Sequence, residues 1–406
     1  MKKGQYKLAV LGVGTAGIQA LCHFISFFGN EWEIVSIHDP DIPIVGIGES
    51  ANPSLILPMQ YGVHLDLVRD LKALDATLKF GTEYINWREH NFYNPLLGGS
   101  VAIHFDTFKL KEFTLPRLHI IWGEKFREIK GNVKEVLDVG SHVEVLVDNE
   151  IHNFDFIIDC RGFPKELNED YVVAKDHPLN HCLVHNSNET YNWNYTRHIA
   201  TKDGWIFGVP LNSRTNYGYL YNDKIADKET AKINFSEEIN VPVEELQNIE
   251  FKFKSYYTKK LVSNRIAKHG NNVWFFEPMF ANSLWVYDHA NRGIFDHICN
   301  VCYGGIDISQ SMKDTNEAFE IIANEVLDMI YFHYHGGSNY DTDFWKYAMK
   351  YSSDKIKNSI YLQKAIEVCH TYGEKQFYTP HRVWSFNTFG LLMISNNLGY
   401  NYFRHK

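Results

Sequence analysis

The sequence predicts an α/β fold, and three patterns near its start support that prediction. Residues 7–11 are a continuous apolar run, as in a buried parallel strand. A glycine-rich turn at residues 12–17 leads into an apolar stretch of helical length at residues 18–28. Residues 33–37 then form a second strand, so the chain opens with a βαβ unit.

Between residues 132 and 160 the pattern changes to short strands separated by turns. Residues 135–137 and 143–147 are strand-like, Gly140 supplies a turn, and residues 154–158 form a returning strand. A βαβ start, a β-meander and a returning strand are the layout of FAD-binding, Rossmann-type domains of the glutathione-reductase-like kind.

The remaining segments predict one integrated body with a mainly helical substrate-binding region, because no low-complexity linker interrupts the chain. We expect residues 1–330 to form the FAD-binding domain, with inserted strands and loops at about 163–260 that cover a substrate. Residues 331–406 are expected to be a C-terminal helical region packed on it. Helix is predicted from residue 294 onward, most clearly at residues 317–334 and 359–371.

Composition excludes several classes of function. The 406 residues carry a formal charge of -9 without a block of lysine or arginine, which argues against nucleic-acid binding. No apolar run is long enough to span a bilayer, and residues 1–6 lead straight into a strand, so we expect neither a membrane anchor nor a secretory signal. Six cysteines are too few for a disulfide scaffold, and the expected location is cytoplasmic.

Cys299 and Cys302 form a lone CxxC with His297 nearby. A structural zinc site needs a second ligand pair, which the sequence lacks. We therefore expect two thiols on one helical face and no metal.

The first glycine turn is a candidate phosphate site. Its glycines let the backbone approach a pyrophosphate, and the following helix points its N–H groups at it. A GxGxxG match is weak by itself, but this one follows a predicted strand and precedes a predicted helix. An acid about 20 positions further on should hold the ribose, and Asp39 is near that place. The turn consists of Gly12, Val13, Gly14, Thr15, Ala16 and Gly17.

Four further segments follow the opening turn in a fixed order. Residues 45–51 are similar to a GVGEAT motif, and residues 76–81, which contain Lys79 and precede Trp87, are similar to a TFKLG motif followed by tryptophan. Residues 204–211 are similar to a WxWxIP strand, and residues 276–284 to an EPLESTGI segment. In their order and their amino-acid sequence, these segments resemble the flavin-dependent tryptophan-halogenase family, and the resemblance extends from residue 7 to about residue 350.

The resemblance implies how FAD is held. In the family the ribose acid stands at the position that aligns with His38, so His38 and Asp39 both remain candidates. The flavin contacts implied by the resemblance are Gly48, Glu49, Ser50, Ala51, Trp205, Pro278 and Met279.

The resemblance also implies the chemistry. Such enzymes use FADH2 and oxygen to oxidise a halide, and the hypohalous acid travels to a lysine beside an aromatic substrate. Lys79 is the catalytic residue on this interpretation. Burial would favour its neutral amine by disfavouring the charged form. Most lysines are solvent-exposed, and only the flanking match favours function here.

Two departures from the family pattern concern this site. Phe280 stands where the family has a catalytic glutamate, and the halide pair is Asn282 and Ser283, whose backbone N–H groups could still bind the ion. The second tryptophan of the WxWxIP strand is Phe207, which with Phe280 is expected to line the substrate tunnel. Our hypothesis is looser substrate control, a preference for electron-rich aromatics, and bromide or iodide favoured over chloride.

Two other functions share this fold. A FAD-dependent monooxygenase would hydroxylate an aromatic substrate, although Lys79 and Trp205 argue against it. A non-catalytic flavin-binding relative is conceivable because of Phe280. No second strong nucleotide turn is present, so we expect a separate NAD(P)H-dependent flavin reductase as partner, together with a small aromatic substrate. The sequence leaves homo-oligomer formation open.

Overall fold

A Rossmann-type sheet forms the base of the protein, seen in a computed structural model that describes residues 6–44, 46, 49–88, 91–96, 100–360 and 362–363. Its first strand pairs in parallel with strands on both sides, and only the last pair at one edge is antiparallel. The strand order is β20 (Val262–Ser263), β21 (Ile266–Lys268), β12 (Phe156–Asp159), β1 (Tyr6–Leu11), β2 (Trp32–His38) and β8 (Phe126–Lys130).

Strand β1 is apolar and buried from Leu8 to Leu11, because both faces of the sheet are covered there. Leu8 and Val10 pack into the core that contains α1 (Thr15–Phe28). Ala9 and Leu11 point the other way, into a second core beneath the meander, as the alternation of a strand requires. The predicted βαβ opening is confirmed.

The meander is a separate antiparallel sheet of β9 (Val133–Asp138), β10 (Val143–Val147) and β11 (Glu150–Phe154). The prediction of a single returning strand over residues 154–158 was wrong at its start. The structure divides this stretch at Asp155, which exchanges hydrogen bonds of 2.9 Å with the backbone of Lys7. Strand β11 closes the meander, and β12 crosses to pair with β1.

A larger sheet carries most of the inserted segment. Strands from the predicted region 163–260 are joined by two strands that precede it in the chain. The order is β18 (Ile249–Lys252), β14 (His181–Ser187), β17 (Thr215–Tyr221), β16 (Gly204–Pro210), β15 (Thr196–Thr201), β5 (Gly81–Ile85) and β6 (Phe92–Pro95). Helix α4 (Lys228–Ile239) covers one face, where Ala231 and Phe235 pack on Tyr219.

Two small sheets connect the large ones. The first consists of β3 (Glu49–Ser50), β7 (Ala102–Phe105) and β4 (Thr77–Lys79), and the second of β13 (Tyr171–Val173), β19 (Tyr256–Thr258) and β22 (Trp274–Phe275). The first of these sheets contains residues of the second glycine segment, on β3, and of the Lys79 motif, on β4. It therefore positions the candidate site.

The remaining helices contribute residues to the same apolar core as α1. They are α2 (Pro53–Val63), α3 (Thr107–Trp122), α5 (Asn282–Cys302), α6 (Ile308–Gly336) and α7 (Asp343–Ile356). Short 3-10 turns occur at Leu71–Leu74, Gly123–Lys125, Val243–Glu245, Gly270–Asn272 and Met279–Ala281.

The C-terminal part is helical as predicted, with one boundary displaced. Helix α5 begins at Asn282, well before the predicted residue 294, and α6 contains the predicted residues 317–334. The predicted helix at 359–371 falls almost wholly outside the described residues. Cys299 and Cys302 both lie in α5, and neither forms a disulfide with another described cysteine. Within the described part of the chain, no helix has the length and apolarity needed to cross a membrane.

Candidate active site

The first glycine turn lies between β1 and α1 and is shaped for close approach. Gly12 has a φ of +93°, and a Cβ on Gly17 would come within 2.0 Å of the Gly12 carbonyl oxygen. Gly14 instead faces open space, since no atom of the other described residues, apart from its chain neighbours and its own helix, lies within 4 Å of the place where its Cβ would be. None of the described side chains caps α1. The open space and the uncapped N–H groups fit a pyrophosphate.

Glu49 connects this turn to the second glycine segment. Its Oε1 accepts hydrogen bonds from Thr15 Oγ1, at 2.7 Å, and from Thr107 Oγ1, at 3.3 Å. Removal of water around the carboxyl raises the pKa of Glu49 to about 7, although the two threonine hydroxyls act in the opposite direction. Glu49 therefore holds the first turn, the second segment and the start of α3 together.

A cleft of about 1070 Å³ opens at the carboxyl end of β2. His38 lines it, whereas Asp39 is not among its lining residues. Asp39 Oδ1 instead accepts from the backbone N–H of Asp41, at 2.9 Å. Burial lowers the pKa of His38, and its Nδ1 has no hydrogen-bond partner among the described residues. Because this nitrogen is itself buried, the ring would have to turn for Nδ1 to reach a ribose hydroxyl in the cleft.

Lys79 ends β4 and is buried, with 2% of its surface exposed. Its Nζ donates to Ser50 Oγ at 2.8 Å and to the Ala51 carbonyl oxygen at 2.9 Å. Burial lowers the pKa of Lys79 to about 7, because the surroundings disfavour the charged amine. Lys79 is therefore not a solvent-exposed ammonium, as most lysines are.

Two neutral histidines, His104 and His198, lie near the lysine, a third, His333, lies near His198, and sequence reasoning missed all three. Burial lowers the pKa of His104 and of His198 well below 6.5, and the charge of Lys79 contributes to both shifts. Burial also lowers the pKa of His333 to about 4. These residues are isolated in sequence, and only the folding of β7, β15 and α6 brings them to one place, so no spacing pattern could have revealed them.

The segment before α5 bends sharply. Phe280 and Ala281 have φ values of 45° and 57°, in the left-handed region. The Phe280 ring is buried against His333, with ring centroids 5.7 Å apart. Phe280, which the sequence resemblance aligns with the family glutamate, thus places an apolar ring beside a neutral imidazole.

The Asn282 side chain is used within the protein. Its Nδ2 donates to the carbonyl oxygens of Glu277, at 2.7 Å, and Met279, at 2.9 Å, while Oδ1 accepts from Trp274 Nε1, at 2.7 Å. The backbone N–H of Asn282 is also used, because it donates to the Met279 carbonyl oxygen. Of the two predicted halide groups, this leaves the backbone N–H of Ser283, in the first turn of α5. Pro278 and Met279 form the loop that precedes them.

Aromatic side chains wall the lysine region. Trp205 is fully buried, donates through Nε1 to Tyr334 Oη at 2.9 Å, and lies against the ring of His198. Phe207 points to the opposite neighbour in the sheet, Gly218, where any Cβ would lie 2.1 Å from the ring. Gly218 is therefore the residue that makes room for Phe207.

Hydrogen bonds and ring contacts bring several of the predicted site residues together. The glycine turn is joined to Glu49, and Ser50 with Ala51 is joined to Lys79. Phe280 and Trp205 reach the same histidine cluster, because each contacts His333 or His198. Gly48 lies outside the described residues. The described residues contain no cluster of His, Cys, Asp and Glu suited to a metal.

Comparison with known proteins gives consistent matches. The family model described as "Tryptophan halogenase" matches residues 7–125 and 92–397. Tryptophan 7-halogenase RebH of Lentzea aerocolonigenes is 21% identical over 419 residues, which cover 84% of this chain and 78% of that protein.

Solved structures share the fold. A tryptophan halogenase from Shewanella frigidimarina NCIMB 400 superposes with a TM-score of 0.79 at 15% identity, covering 98% of this chain and 90% of the other. BrvH, a flavin-dependent halogenase from Brevundimonas sp. BAL3, superposes with a TM-score of 0.78 at 15% identity, covering 99% and 91%.

Proposed function

The chain belongs to the tryptophan halogenase family and is an FADH2-dependent oxidoreductase, and from this premise we propose that it halogenates an electron-rich aromatic molecule at Lys79. The observation that carries the proposal is the buried amine of Lys79, with a pKa lowered to about 7 and two fixed acceptors. An amine of this kind can hydrogen-bond an oxidised halide as a cation or attack it as a neutral base.

FAD would be held by the first turn and the cleft beside β2. Gly14 leaves room for the pyrophosphate, Gly12 and Gly17 allow the close packing that shapes the turn, and the N-terminus of α1 offers unused donors. His38 is the proposed ribose contact, since it lines the cleft at the end of β2. When bound and reduced, the flavin supplies the oxygen chemistry that oxidises the halide.

The halide is proposed to bind the backbone N–H group of Ser283, since that of Asn282 already donates to the Met279 carbonyl oxygen. Ser283 stands at the positive end of α5, a helix of 21 residues. The Asn282 amide supports this arrangement by tying the preceding loop, and not by touching the ion.

The substrate is proposed to be small, aromatic and electron-rich. Phe280 offers no carboxylate to orient hypohalous acid, so the reactivity of the substrate has to contribute more. For the same reason we propose that bromide or iodide, which are more easily oxidised, are used in preference to chloride. A separate flavin reductase as partner and a cytoplasmic location remain predictions.

Two alternatives remain testable. A hydroxylating monooxygenase needs its substrate beside the flavin, and the buried wall of Trp205 and Phe207 disfavours that approach. A flavin-binding protein without activity would retain the glycine turn and give no product.

The deciding experiment supplies the purified protein with FAD, a flavin reductase, NADH and oxygen. Chloride, bromide and iodide are offered separately with a panel of indoles and phenols, and products are identified by mass. Lys79→Ala is compared with Lys202→Ala, an exposed lysine in a distant surface pair with Glu237. We expect halogenated products that disappear only in the Lys79 variant.

Each other outcome has a defined meaning. Halogenation that persists without Lys79 would indicate freely released hypohalous acid and reject the role of the lysine. Hydroxylated products would favour the monooxygenase. Flavin binding without any product would favour the non-catalytic alternative.

A further inference from the structure

A row of polar side chains crosses the small sheet that carries Lys79. Ser50 on β3 faces His104 on β7, and His104 faces Thr77 on β4, in one register position. Lys79 lies two residues beyond Thr77 and so shares its face of the sheet. Thr196, from the neighbouring large sheet, reaches into the same row.

These residues form a continuous hydrogen-bonded chain. Lys79 Nζ lies 2.8 Å from Ser50 Oγ, which lies 2.7 Å from Thr196 Oγ1. Thr196 Oγ1 lies 3.0 Å from His104 Nε2, and His104 Nδ1 lies 3.0 Å from Thr77 Oγ1. The chain ends where Thr77 Oγ1 lies 2.7 Å from the carbonyl oxygen of Pro210.

The hydrogen bond to Pro210 determines which atom donates and which accepts at every step of this series of hydrogen bonds. A carbonyl oxygen has no proton to give, so Thr77 donates its own to Pro210. Thr77 must then accept from His104, which places the imidazole proton on Nδ1. A neutral imidazole carries one ring proton, so Nε2 is an acceptor.

The direction continues from the imidazole to the lysine. Because Nε2 accepts, Thr196 donates to it, and Ser50 in turn donates to Thr196. The Ser50 oxygen is left to accept from Lys79, and the Ala51 carbonyl can only accept as well. Two N–H bonds of the Lys79 amine therefore point at Ser50 and Ala51. Among the described residues, no third partner occupies the remaining direction of Nζ.

We propose that His104, held as its Nδ1–H tautomer by Thr77, is a positioning residue that turns the Ser50 hydroxyl proton away from Lys79 and so keeps one direction of Nζ free for the oxidised halide. In the neutral amine that direction holds the lone pair, and in the ammonium it holds the third N–H. With the other tautomer the chain would reverse, and Ser50 would point its proton at the lone pair of Lys79. The reactive role of Lys79 rests on the proposed function, whereas the tautomer of His104 does not.

The first test is the tautomer itself, read by ¹⁵N NMR of histidine-labelled protein, with the His104 signals assigned from a His104→Gln variant. We expect a protonated Nδ1 and an unprotonated Nε2 in the unaltered protein. Thr77→Val keeps the shape but removes the acceptor of the Nδ1 proton, so we expect the proton to move to Nε2. Thr77→Ser restores a hydroxyl and should restore the original tautomer.

The second test is the rate of halogenation under reductase-fed turnover. Thr77→Val should lower kcat roughly tenfold or more, as expected for one misdirected hydrogen bond at a reactive amine, and leave KM for the aromatic substrate unchanged. Thr77→Ser should recover the rate. The matched control is Thr114→Val, the same change at a buried threonine in α3 whose hydroxyl has no partner among the described residues.

An Nε2–H tautomer in the unaltered protein would overturn the proposal. So would a Thr77→Val variant that changes tautomer yet keeps the original kcat. If the tautomer is Nδ1–H but neither the unaltered protein nor any variant halogenates a substrate, the proposed function fails. The direction of the hydrogen bonds is still supported in that case.

Discussion

The indole N–H of Trp274 donates to Asn282 Oδ1 at 2.7 Å, in the interior of the protein. The same amide donates to the carbonyl oxygens of Glu277 and Met279. Asn282 therefore closes a loop whose two central residues, Phe280 and Ala281, are held in the left-handed region. Such a backbone persists only where the surroundings fix it.

Replacement of this amide should loosen the loop. We expect Asn282→Ala to lower the free energy of unfolding by about 3 kcal/mol, because three hydrogen bonds are lost and the Trp274 N–H is left buried without an acceptor. Chemical denaturation of both proteins measures the difference. Ser283→Ala is the control, since its hydroxyl makes a 3.5 Å contact with Asn282 Oδ1 and one with the Tyr287 hydroxyl but does not hold the loop, and equal losses in the two variants would contradict the prediction.

Stability should depend on pH through Lys79. The unfolded lysine keeps its proton up to about 10.5 and the folded one only to about 7. Between these pKa values the unfolded chain binds more protons, so the contribution of Lys79 to stability rises with pH across that window and is lowest below it. Lys79→Met removes the buried charge and should stabilise the protein most at low pH.

The measurement compares unfolding of both proteins at two pH values. The gain from Lys79→Met should shrink by on the order of 3 kcal/mol between about pH 6 and about pH 9. The exposed Lys202→Met should show no such trend. A gain for Lys79→Met that is independent of pH would mean that the folded lysine titrates like a solvated one.

The two glycines of the first turn should respond differently to the same added methyl group. Gly17→Ala forces a Cβ onto the Gly12 carbonyl oxygen and should lower both stability and FAD affinity. Gly14→Ala meets no protein atom and should leave the melting temperature nearly unchanged, but it should weaken FAD binding by occupying the space in front of α1. Flavin fluorescence titration and thermal melts distinguish these effects, and normal FAD affinity in Gly14→Ala would move the pyrophosphate elsewhere.

His38 and Asp39 can be separated as ribose contacts. His38→Ala should weaken FAD binding about tenfold, the value of one hydrogen bond, because this side chain lines the cleft. Asp39→Asn keeps the oxygen that accepts from Asp41 and should change the affinity little. A stronger effect at Asp39 than at His38 would assign the ribose to the carboxylate.

A carboxylate restored at position 280 should change halide use. Phe280→Glu would place a charged acceptor beside His333 and should raise the chloride share of products, in competition with bromide, by roughly tenfold or more. Phe280→Gln has a similar shape without the charge and should keep the original ratio. Equal ratios in the two variants would show that charge at this position does not determine halide preference.

Local pattern was sufficient for the opening of the fold. The run in β1 and the glycines before α1 are signals carried by adjacent residues, and both elements occur where they were expected. Strand β11 was missed because Glu150–Phe154 is mostly exposed and carries little apolar alternation. The start of α5 was missed because left-handed residues at 280 and 281 precede it, and these depend on the distant Trp274 contact.

The candidate site shows the same limit. Lys79 could be selected from its flanking residues, but its burial could not, since that depends on β3 and β7 closing around it. The histidines at 104, 198 and 333 come from three different elements, and their neutrality is a consequence of the assembled interior. Gly218 became significant only when the sheet register placed it opposite Phe207.

Strand β3 consists of Glu49 and Ser50 alone in the described structure, and neighbouring side chains in a strand point to opposite faces. Glu49 contacts the first glycine turn, and Ser50 contacts the Lys79 amine. One peptide unit, with Cα atoms about 3.8 Å apart, therefore fixes the spacing between the proposed cofactor site and the proposed halogen-transfer site. If FAD binding displaced the turn, the displacement would be transmitted to Lys79 through this single covalent link.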